Sequence, residues 1–277
     1  MKREEERRIR ITSTSASELS GERVFLASSA LLFIASAAGT IYWCSAMPGG
    51  MVMPGDWTMS MAWMRMPGQT WLGAAATFMG MWMVMMVAMM LPSLVPMLAG
   101  YRGSVSGVGA ARLDALTALV GAAYFAVWGV FGAAAYPVGI ALGAAEMRWP
   151  AVARAAPVAT GLVLLFAGAV QLTAWKARHL GHCRAACGCG PRLPPDAPSA
   201  WRHGLRLGGH CSLCCFGFIL ILLATGVMDL RIMTATAGAI TAERLAPWPD
   251  RVARIAGGVI LIIAALVIAR SLGGIQG

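Results

Sequence analysis

Six long apolar runs constrain this chain more than any other feature of its sequence. A helix that crosses a bilayer needs ~20 mostly apolar residues, and runs of about this length lie at Val24–Trp43, Leu72–Met97, Ala115–Leu142, Val158–Trp175, Cys211–Met228 and Ile255–Ile268. Only 12% of the residues are charged and the mean hydropathy is +0.68, whereas about 25% of a soluble domain is charged. The sequence therefore predicts an all-α, polytopic transmembrane helix bundle surrounded by lipid.

The distribution of Lys and Arg predicts the orientation of this bundle. With the N-terminus inside, fifteen of these residues fall in inside segments and seven in outside segments. Because basic loops stay on the cytoplasmic side, we expect both termini in the cytoplasm and a multi-pass membrane protein. The net charge of +10 lies at the ends of the apolar runs, where it meets anionic lipid rather than nucleic acid.

The chain divides into one membrane domain and two tails. Residues 1–22 are charged and rich in Ser, so we expect a disordered N-terminal tail. Residues 23–272 form the membrane domain, with a Met-rich outer loop at 45–69 and a Cys/His-rich cytoplasmic loop at 177–201, and residues 273–277 form a second tail. The first apolar run is interpreted as an uncleaved anchor rather than a signal peptide.

Methionine is concentrated in the outer loop and the second run. Fifteen of the 19 Met lie between Met47 and Met97, and seven of them fall within twelve residues of the second run. Helical spacing places these seven on two adjacent stripes. Thioethers are neutral soft ligands that select Cu(I), whereas Leu or Ile would specify a better packed core. A metal-binding helix is therefore predicted, together with an outer loop that collects Cu(I), and ordinary apolar packing is the alternative for both.

The fifth run begins with the residues HCSLCCFGF. On a helix, Cys211, Cys214 and Cys215 lie on one side, next to His210. Thiolates bind Cu(I) and Zn²⁺, while a redox Cys pair and small buried side chains are the alternatives. We expect the second and fifth helices to pack together and to build one Cu(I) site from thioether and thiolate.

The loop before the fifth run contains the sequence KARHLGHCRAACGCGP. Its ligand-type residues are His179, His182, Cys183, Cys187 and Cys189. Their spacing is not that of a two-pair, four-ligand zinc motif. The loop is interpreted either as an exposed relay that exchanges metal or as a set of redox-active or adventitious thiols. Nearby, Lys176 is interpreted as a snorkelling anchor, and Asp229 and Glu243 as solvated loop carboxylates.

Copper handling is the function that these patterns favour. The chain would bind Cu(I), with Zn²⁺ as a second metal that suits the same ligands, and would translocate copper or deliver it to a copper-dependent enzyme or another copper-binding protein. A thiol–disulfide redox protein and a structural subunit of a membrane metalloenzyme complex are the alternatives, and homo-oligomerisation stays open. No catalytic arrangement is apparent, so an enzyme is not expected. The candidate ligands are Met81, Met85, Met86, Met89, Met90, His210, Cys211, Cys214 and Cys215, followed by His182, Cys183, Cys187 and Cys189.

Three segments together resemble a known family. They are MWMVMMVAMMLPSLVP, QLTAWKARHLGHCR and GGHCSLCCFGF followed by GVMDL, and the resemblance covers roughly residues 72–245. The family comprises bacterial predicted metal-binding integral membrane proteins, once described only as a domain of unknown function and linked to copper delivery for tyrosinase-type copper enzymes. The resemblance implies a copper chaperone-like membrane protein.

The resemblance also assigns residues to the family pattern. Its motif positions are matched by Met81, Met85, Met86, Met89, Met90, Pro92, Pro96, Gln171, Lys176, Cys183, Arg184, Cys211, Cys214 and Cys215. Two features depart from the pattern. His210 stands where the family usually has an aromatic residue, often Tyr, and Cys187 and Cys189 are additional, which raises the question of an added metal-handling step.

Overall fold

The computed structural model describes residues 2–46, 50–53, 57–65, 68–105, 107–185 and 193–273. Its helices are α1 (Lys2–Ala46), α2 (Trp71–Ser104), α3 (Ala110–Arg148), α4 (Pro150–Gln171), α5 (Ala174–Ala185), α6 (Ala197–Thr225), α7 (Leu230–Leu245) and α8 (Pro249–Gly273). Two short antiparallel strands, β1 (Met51–Met53) and β2 (Trp57–Met59), form a ribbon between α1 and α2, and one turn of 3-10 helix follows at Met61–Trp63. The predicted all-α class is confirmed.

Six helical stretches are long and apolar enough to cross a membrane, as the sequence predicts. They are residues Gly21–Ala46 of α1 and the whole of α2, α3, α4, α6 and α8. Half of the most apolar window is buried in α2 and in α6, compared with 17% in α1 and α8. The Met-rich and Cys-rich helices are therefore the most enclosed spans, and α1 and α8 leave most of their apolar surface for lipid.

Helix α6 begins at Ala197, fourteen residues before the expected start at Cys211. The carboxylate of Asp196 accepts a hydrogen bond of 2.8 Å from the backbone N–H of Ser199, and Pro198 lies in the first turn, so the start is capped. The expected start followed hydropathy, which misses the polar first turns. Helix α5 likewise occupies part of the segment 177–201 that was expected to be a loop.

The charged N-terminal segment is included in α1. Because this helix begins at Lys2, its backbone runs through most of residues 1–22, for which the sequence predicts disorder. The division of the chain into tails and a membrane domain at residues 22 and 272 stays a prediction. Of the C-terminal tail, residues 274–277 lie outside the described residues.

Glycine permits a close contact between two helices of the bundle. Helices α3 and α6 pack in parallel, with Gly204 and Gly208 of α6 against the carbonyl groups of Val120 and Tyr124. A Cβ atom on Gly208 would lie 2.9 Å from the Tyr124 oxygen, and one on Gly204 would collide with the Val120 oxygen. Small residues let membrane helices approach this closely, and the contact fixes the height of Cys211 beside Tyr124.

Helix α7 carries the chain back through the bundle. We call the end where Gly21 lies near Arg102 the inner end, and the end where the Cys44 sulfur lies 4.0 Å from that of Met228 the outer end. Helix α7 starts just after Met228, and Glu243 near its far end bonds Gln171, the last residue of α4. Helix α7 therefore leads from the outer end toward the inner end.

Helix α8 then returns to the outer end alongside α4. Gly257 lies beside Gln171, and Ile268 lies beside Gly161, so the two helices are antiparallel. The start of α1 and the end of α8 therefore lie at opposite ends of the bundle. This arrangement corrects the expectation that both termini are cytoplasmic. The 16 residues of α7 extend about 24 Å and carry the chain once more through the bundle. In the sequence, this segment is too short and too polar to be recognised as a membrane span.

The revised path sharpens the charge asymmetry. Of the 21 Lys and Arg residues that the structure describes, sixteen lie at the inner end by chain order. The five at the outer end are Arg65, Arg148, Arg154, Arg231 and Arg270. This bias is stronger than the one counted without α7, and it favours a cytoplasmic inner end.

The path of α7 predicts the sides of the two termini. A phosphatase that is active only outside the cytoplasm, fused after residue 277, should be active, whereas the same reporter placed at Gly107 in the turn between α2 and α3 should be inactive. A cytoplasm-specific fluorescent reporter should give the reverse pattern. Cytoplasmic signals from both positions would contradict the return of the chain through α7.

The α3–α6 contact predicts a matched pair of glycine variants. Gly204→Ala should lower thermal stability in detergent by the ~1–3 kcal/mol typical of overpacking, because its Cβ has no room beside Val120. Gly209→Ala is the control, since a Cβ there meets nothing within 4 Å, and it should be neutral or slightly stabilising. Equal melting temperatures for the two variants would rule out the close approach.

Candidate metal centre

Four cysteines from two helices form a buried cluster. Cys183 of α5 meets Cys211, Cys214 and Cys215 of α6, and each is at most 2% exposed. Side-chain hydrogen bonds connect Cys183 to Cys214, Cys214 to Cys215, and Cys215 to Cys211. We call these four residues the thiol cluster. Cys211, Cys214 and Cys215 are free cysteines. The structure thus brings together two segments that are separate in the sequence.

The guanidinium group of Arg244 lies against this cluster. It donates hydrogen bonds to the sulfur of Cys211 at 2.8 Å and to that of Cys215 at 3.3 Å. It also donates to the hydroxyl of Ser93 on α2 at 3.1 Å. Arg244 is only 3% exposed. This one side chain of α7 therefore connects the cysteine helix to the methionine helix.

Of the two buried cations next to the thiol cluster, only one is paired with a described carboxylate. Lys176 forms an ion pair with Glu243 at 2.6 Å, and both side chains are at most 2% exposed. Arg244 has no carboxylate partner among the described residues, and its neighbours are thiols. An unpaired buried charge is costly, and Arg is always charged. The arrangement therefore favours a thiolate at Cys211 or Cys215, which is the form that binds metals.

The pKa of the Cys183 thiol is also shifted by the surroundings of the cluster. Its hydrogen bond with Cys214 lowers the pKa of the Cys183 thiol; burial opposes this shift, and the charge of Arg244 adds to it. The net pKa lies below the ordinary value for cysteine. The α5 side of the cluster is thus also disposed toward the thiolate form.

The buried methionines belong to the same core as the thiols. Those at most 5% exposed on the predicted stripes are Met81, Met85, Met86, Met89 and Met90. Met79 and Met83 are only half-buried at its edge. Ser93 follows Met90 and Met89 by three and four residues, so both sulfurs lie on the side of α2 that faces Arg244.

The expected packing of the two helices is seen only in part. The rings of Tyr101 on α2 and His203 on α6 lie 5.3 Å apart, but at the level of the thiols Arg244 connects the two helices. Helix α2 packs mainly against α1, α3 and α7, and α6 packs mainly against α3, α4, α5 and α7. Two side chains lie at the junction: Arg244, and Tyr124 of α3, whose hydroxyl shares a hydrogen bond of 2.8 Å with the Cys211 sulfur. Sequence periodicity places residues on a helix face but does not identify the helix opposite.

Three histidines lie beside the thiol cluster. His179 and His182 are on α5, and His210 is on α6, with ring centroids 5.3–6.4 Å apart. Burial lowers the pKa of His179, and the neighbouring His210 and His182 lower it further, so its ring favours the neutral form. The structure thus places His179 and His182, expected in a loop, on a helix, while Cys187 and Cys189 lie outside the described residues.

The outer methionines are arranged differently. Met53 and Met59 of the ribbon pack against Ala153 in a small apolar cluster, and Met64 contacts its edge. Met51 is exposed. These contacts favour apolar packing over metal collection for the paired strands. Met47 and Met66 lie outside the described residues.

Sequence reasoning missed Glu243 and Arg244 as site residues and misassigned Lys176. Glu243 was expected to be solvated, and Lys176 to reach the membrane surface; both are buried as a pair, with Gln171 donating to Glu243 at 2.8 Å. The available signal was Asp229, whose carboxylate caps α7. Recognising that helix would have placed the Glu243 charge inside the bundle.

No group of three or more His, Cys, Asp or Glu side chains able to hold a metal as placed is found in the part of the chain that the structure describes. The arrangement is therefore unlike a preformed four-ligand zinc site. A soft ion held by a few thiolate and thioether sulfurs remains compatible with these residues.

Comparison with known proteins identifies the family. No curated protein and no solved structure matches the chain. The family model of PpoB2, described as a copper chaperone, matches residues 79–268, which is more than half of the chain. The match includes the buried methionines, the thiol cluster and the three histidines. The chain therefore belongs to the PpoB2 family of copper chaperones, in agreement with the copper chaperone-like family that its motifs resemble.

Proposed function

We propose that this copper chaperone binds Cu(I) at the thiol cluster, with thioether sulfurs of α2 as further ligands. It then delivers the ion to a copper-dependent enzyme or copper-binding partner, or moves it across the membrane. The observation that supports this most is the position of Arg244, a buried cation held by two cysteine sulfurs and Ser93. Because the cysteine sulfurs already stabilise the buried guanidinium cation, the same sulfurs suit a buried Cu(I) ion, which carries the same charge.

The chemistry of the ligands favours Cu(I) over Zn²⁺. Thiolate and thioether are soft ligands that select Cu(I), and the thioethers add no charge to a buried site. Structural zinc takes four ligands in a tetrahedron, and no such group is present among the described residues. Zn²⁺ is therefore the second choice and serves as the competing metal in a binding assay.

The proposed ligands follow from burial and from the sequence motifs. The primary set comprises Met81, Met85, Met86, Met89, Met90, His210, Cys211, Cys214 and Cys215, and the secondary set comprises His182, Cys183, Cys187 and Cys189. Displacement of Arg244 from the sulfurs by the incoming ion would bring the two helices' ligands to a common centre. The protein then acts as a carrier rather than an enzyme.

The setting proposed for this activity is the bacterial inner membrane, with the inner end in the cytoplasm. The thiol cluster lies toward that end, covered by α5. A recipient protein would meet α5 and the start of α6, whereas a homo-oligomer would use the exposed faces of α1 or α8. The main alternative is thiol–disulfide exchange among Cys211, Cys214 and Cys215, because their adjacent sulfurs would also suit a redox pair.

Copper analysis of cysteine variants tests the proposal. Wild-type protein purified in detergent and loaded with Cu(I) should retain copper, and the double variant Cys211→Ser, Cys215→Ser should lose it, because the thiolates are the strongest ligands present. Cys44→Ser is the matched control, since Cys44 lies at the outer end next to Met228, and it should bind as wild type does.

Two results would contradict the proposal. One is an equal, near-zero copper content in wild type and the double variant. The other is redox cycling that does not depend on copper: thiol trapping would then detect a disulfide among the α6 cysteines that forms and breaks without the metal. Protection of the thiols from alkylation by Cu(I) is the expected outcome.

The buried ion pair predicts how α5 is held over the thiols. Lys176 donates to the carbonyl of Cys214 at 2.7 Å as well as pairing with Glu243. Lys176→Met should cost ~3–5 kcal/mol, because Glu243 is left as an unpaired buried charge. Adding Glu243→Gln should recover much of that loss. Melting temperature and the rate of maleimide labelling of Cys183 measure both effects, and additive losses would exclude the coupling.

A further inference from the structure

Histidine and cysteine repeat in the same order on two neighbouring helices. His179 precedes Cys183 by four residues on α5, and His210 precedes Cys214 by four residues on α6. Residues four apart share a helix face about 6 Å apart along the axis. The thiols of Cys183 and Cys214 share a hydrogen bond, and the ring centroids of His179 and His210 are 6.3 Å apart. The histidines therefore form a layer one helical turn away from the thiols.

This histidine layer lies between the thiols and the protein surface. Cys183 and Cys214 are 1% and 2% exposed. His179 and His210 are half-buried, and His182 is exposed. Exposure therefore rises stepwise from the thiol cluster through two imidazoles to a third that meets solvent.

The ring spacing suits a shared metal ion. With metal–nitrogen bonds of about 2.0–2.1 Å, two rings on one ion have centroids about 5–6.5 Å apart. The three centroid distances here are 5.3, 6.3 and 6.4 Å. The His182 and His210 rings are stacked and nearly parallel, with 9° between their planes, so side-chain rotation is needed before their nitrogens converge. A site completed by such rotation binds weakly, as an exchange site must.

Two of the ring nitrogens lack a hydrogen-bond partner. Nδ1 of His179 and Nδ1 of His210 are buried and make no hydrogen bond to any described residue. Buried polar atoms are nearly always satisfied. Nδ1 of His182, in contrast, contacts the carbonyl of Arg178 at 2.8 Å, which leaves its other nitrogen for a ligand.

We propose that His179, His182 and His210 form a transient copper-exchange site through which the ion enters or leaves the thiol cluster. This inference rests on the proposed function, because it requires copper at the thiols. In the inward step, a cysteine thiolate forms a bond to Cu(I) as an imidazole nitrogen releases it, and the imidazole is left neutral. The ion keeps its charge and no electrons are transferred.

Copper transfer from full-length protein in detergent to bicinchoninate tests this site. His179→Gln changes the one histidine of the three that is not among the proposed ligands of the thiol site, so it should retain the copper stoichiometry of wild type but release copper at least about tenfold more slowly, the factor that corresponds to ~1.4 kcal/mol. His203→Gln is the control, because that ring lies against Tyr101, at 5.3 Å, outside the cluster. It should release copper at the wild-type rate.

A second variant, at an exposed residue, tests the same site without a risk of misfolding. His182 is exposed, so His182→Gln alone should leave the fold unchanged and still slow the release. Unchanged rates in both variants, with copper bound, would overturn the exchange site while leaving the thiol site standing. Loss of bound copper in His179→Gln would make His179 a ligand of the main site instead. Absence of copper from the wild-type protein would contradict the proposed function and, with it, this inference.

Discussion

The guanidinium group of Arg244 is the interaction on which the rest of the centre depends. It is buried, permanently charged and held by sulfur and hydroxyl groups instead of a carboxylate. A charge in that position requires nearby electron density, and the cysteines provide it. The same contact joins α2, α6 and α7, so the chemical state of the thiols and the packing of three helices are linked through one side chain.

Lys176 and Glu243 complete this organisation on the α5 side. Their ion pair neutralises two charges that burial would otherwise oppose, and Lys176 also ties α5 to the backbone of Cys214. Helix α5 is short and polar, so it owes its position to these bonds more than to apolar area. The result is a polar, sulfur-rich region next to the two most enclosed apolar helices, α2 and α6.

The sequence predicted the class of the fold and most of the ligand-type residues, because length, hydropathy and helical spacing are local properties. Helical periodicity alone predicts the buried set from Met81 to Met90 and the common side of Cys211, Cys214 and Cys215. It does not predict which residues lie opposite these faces, since Tyr124 and Arg244 reach the centre from distant segments of the sequence. Helix α7 was missed because a 16-residue helix with charges at both ends resembles a loop on a hydropathy scale, and the sidedness of the C-terminus was lost with it.

The return of the chain through α7 has a consequence for how a recipient of copper could be attached. Any domain or partner tethered beyond the end of α8 would reside in the compartment opposite the one that α5 faces. A recipient anchored there could receive the ion only after it had traversed the full height of the protein. One that approaches α5 needs no such passage, so the side on which the acceptor enzyme matures would distinguish a carrier from a conduit.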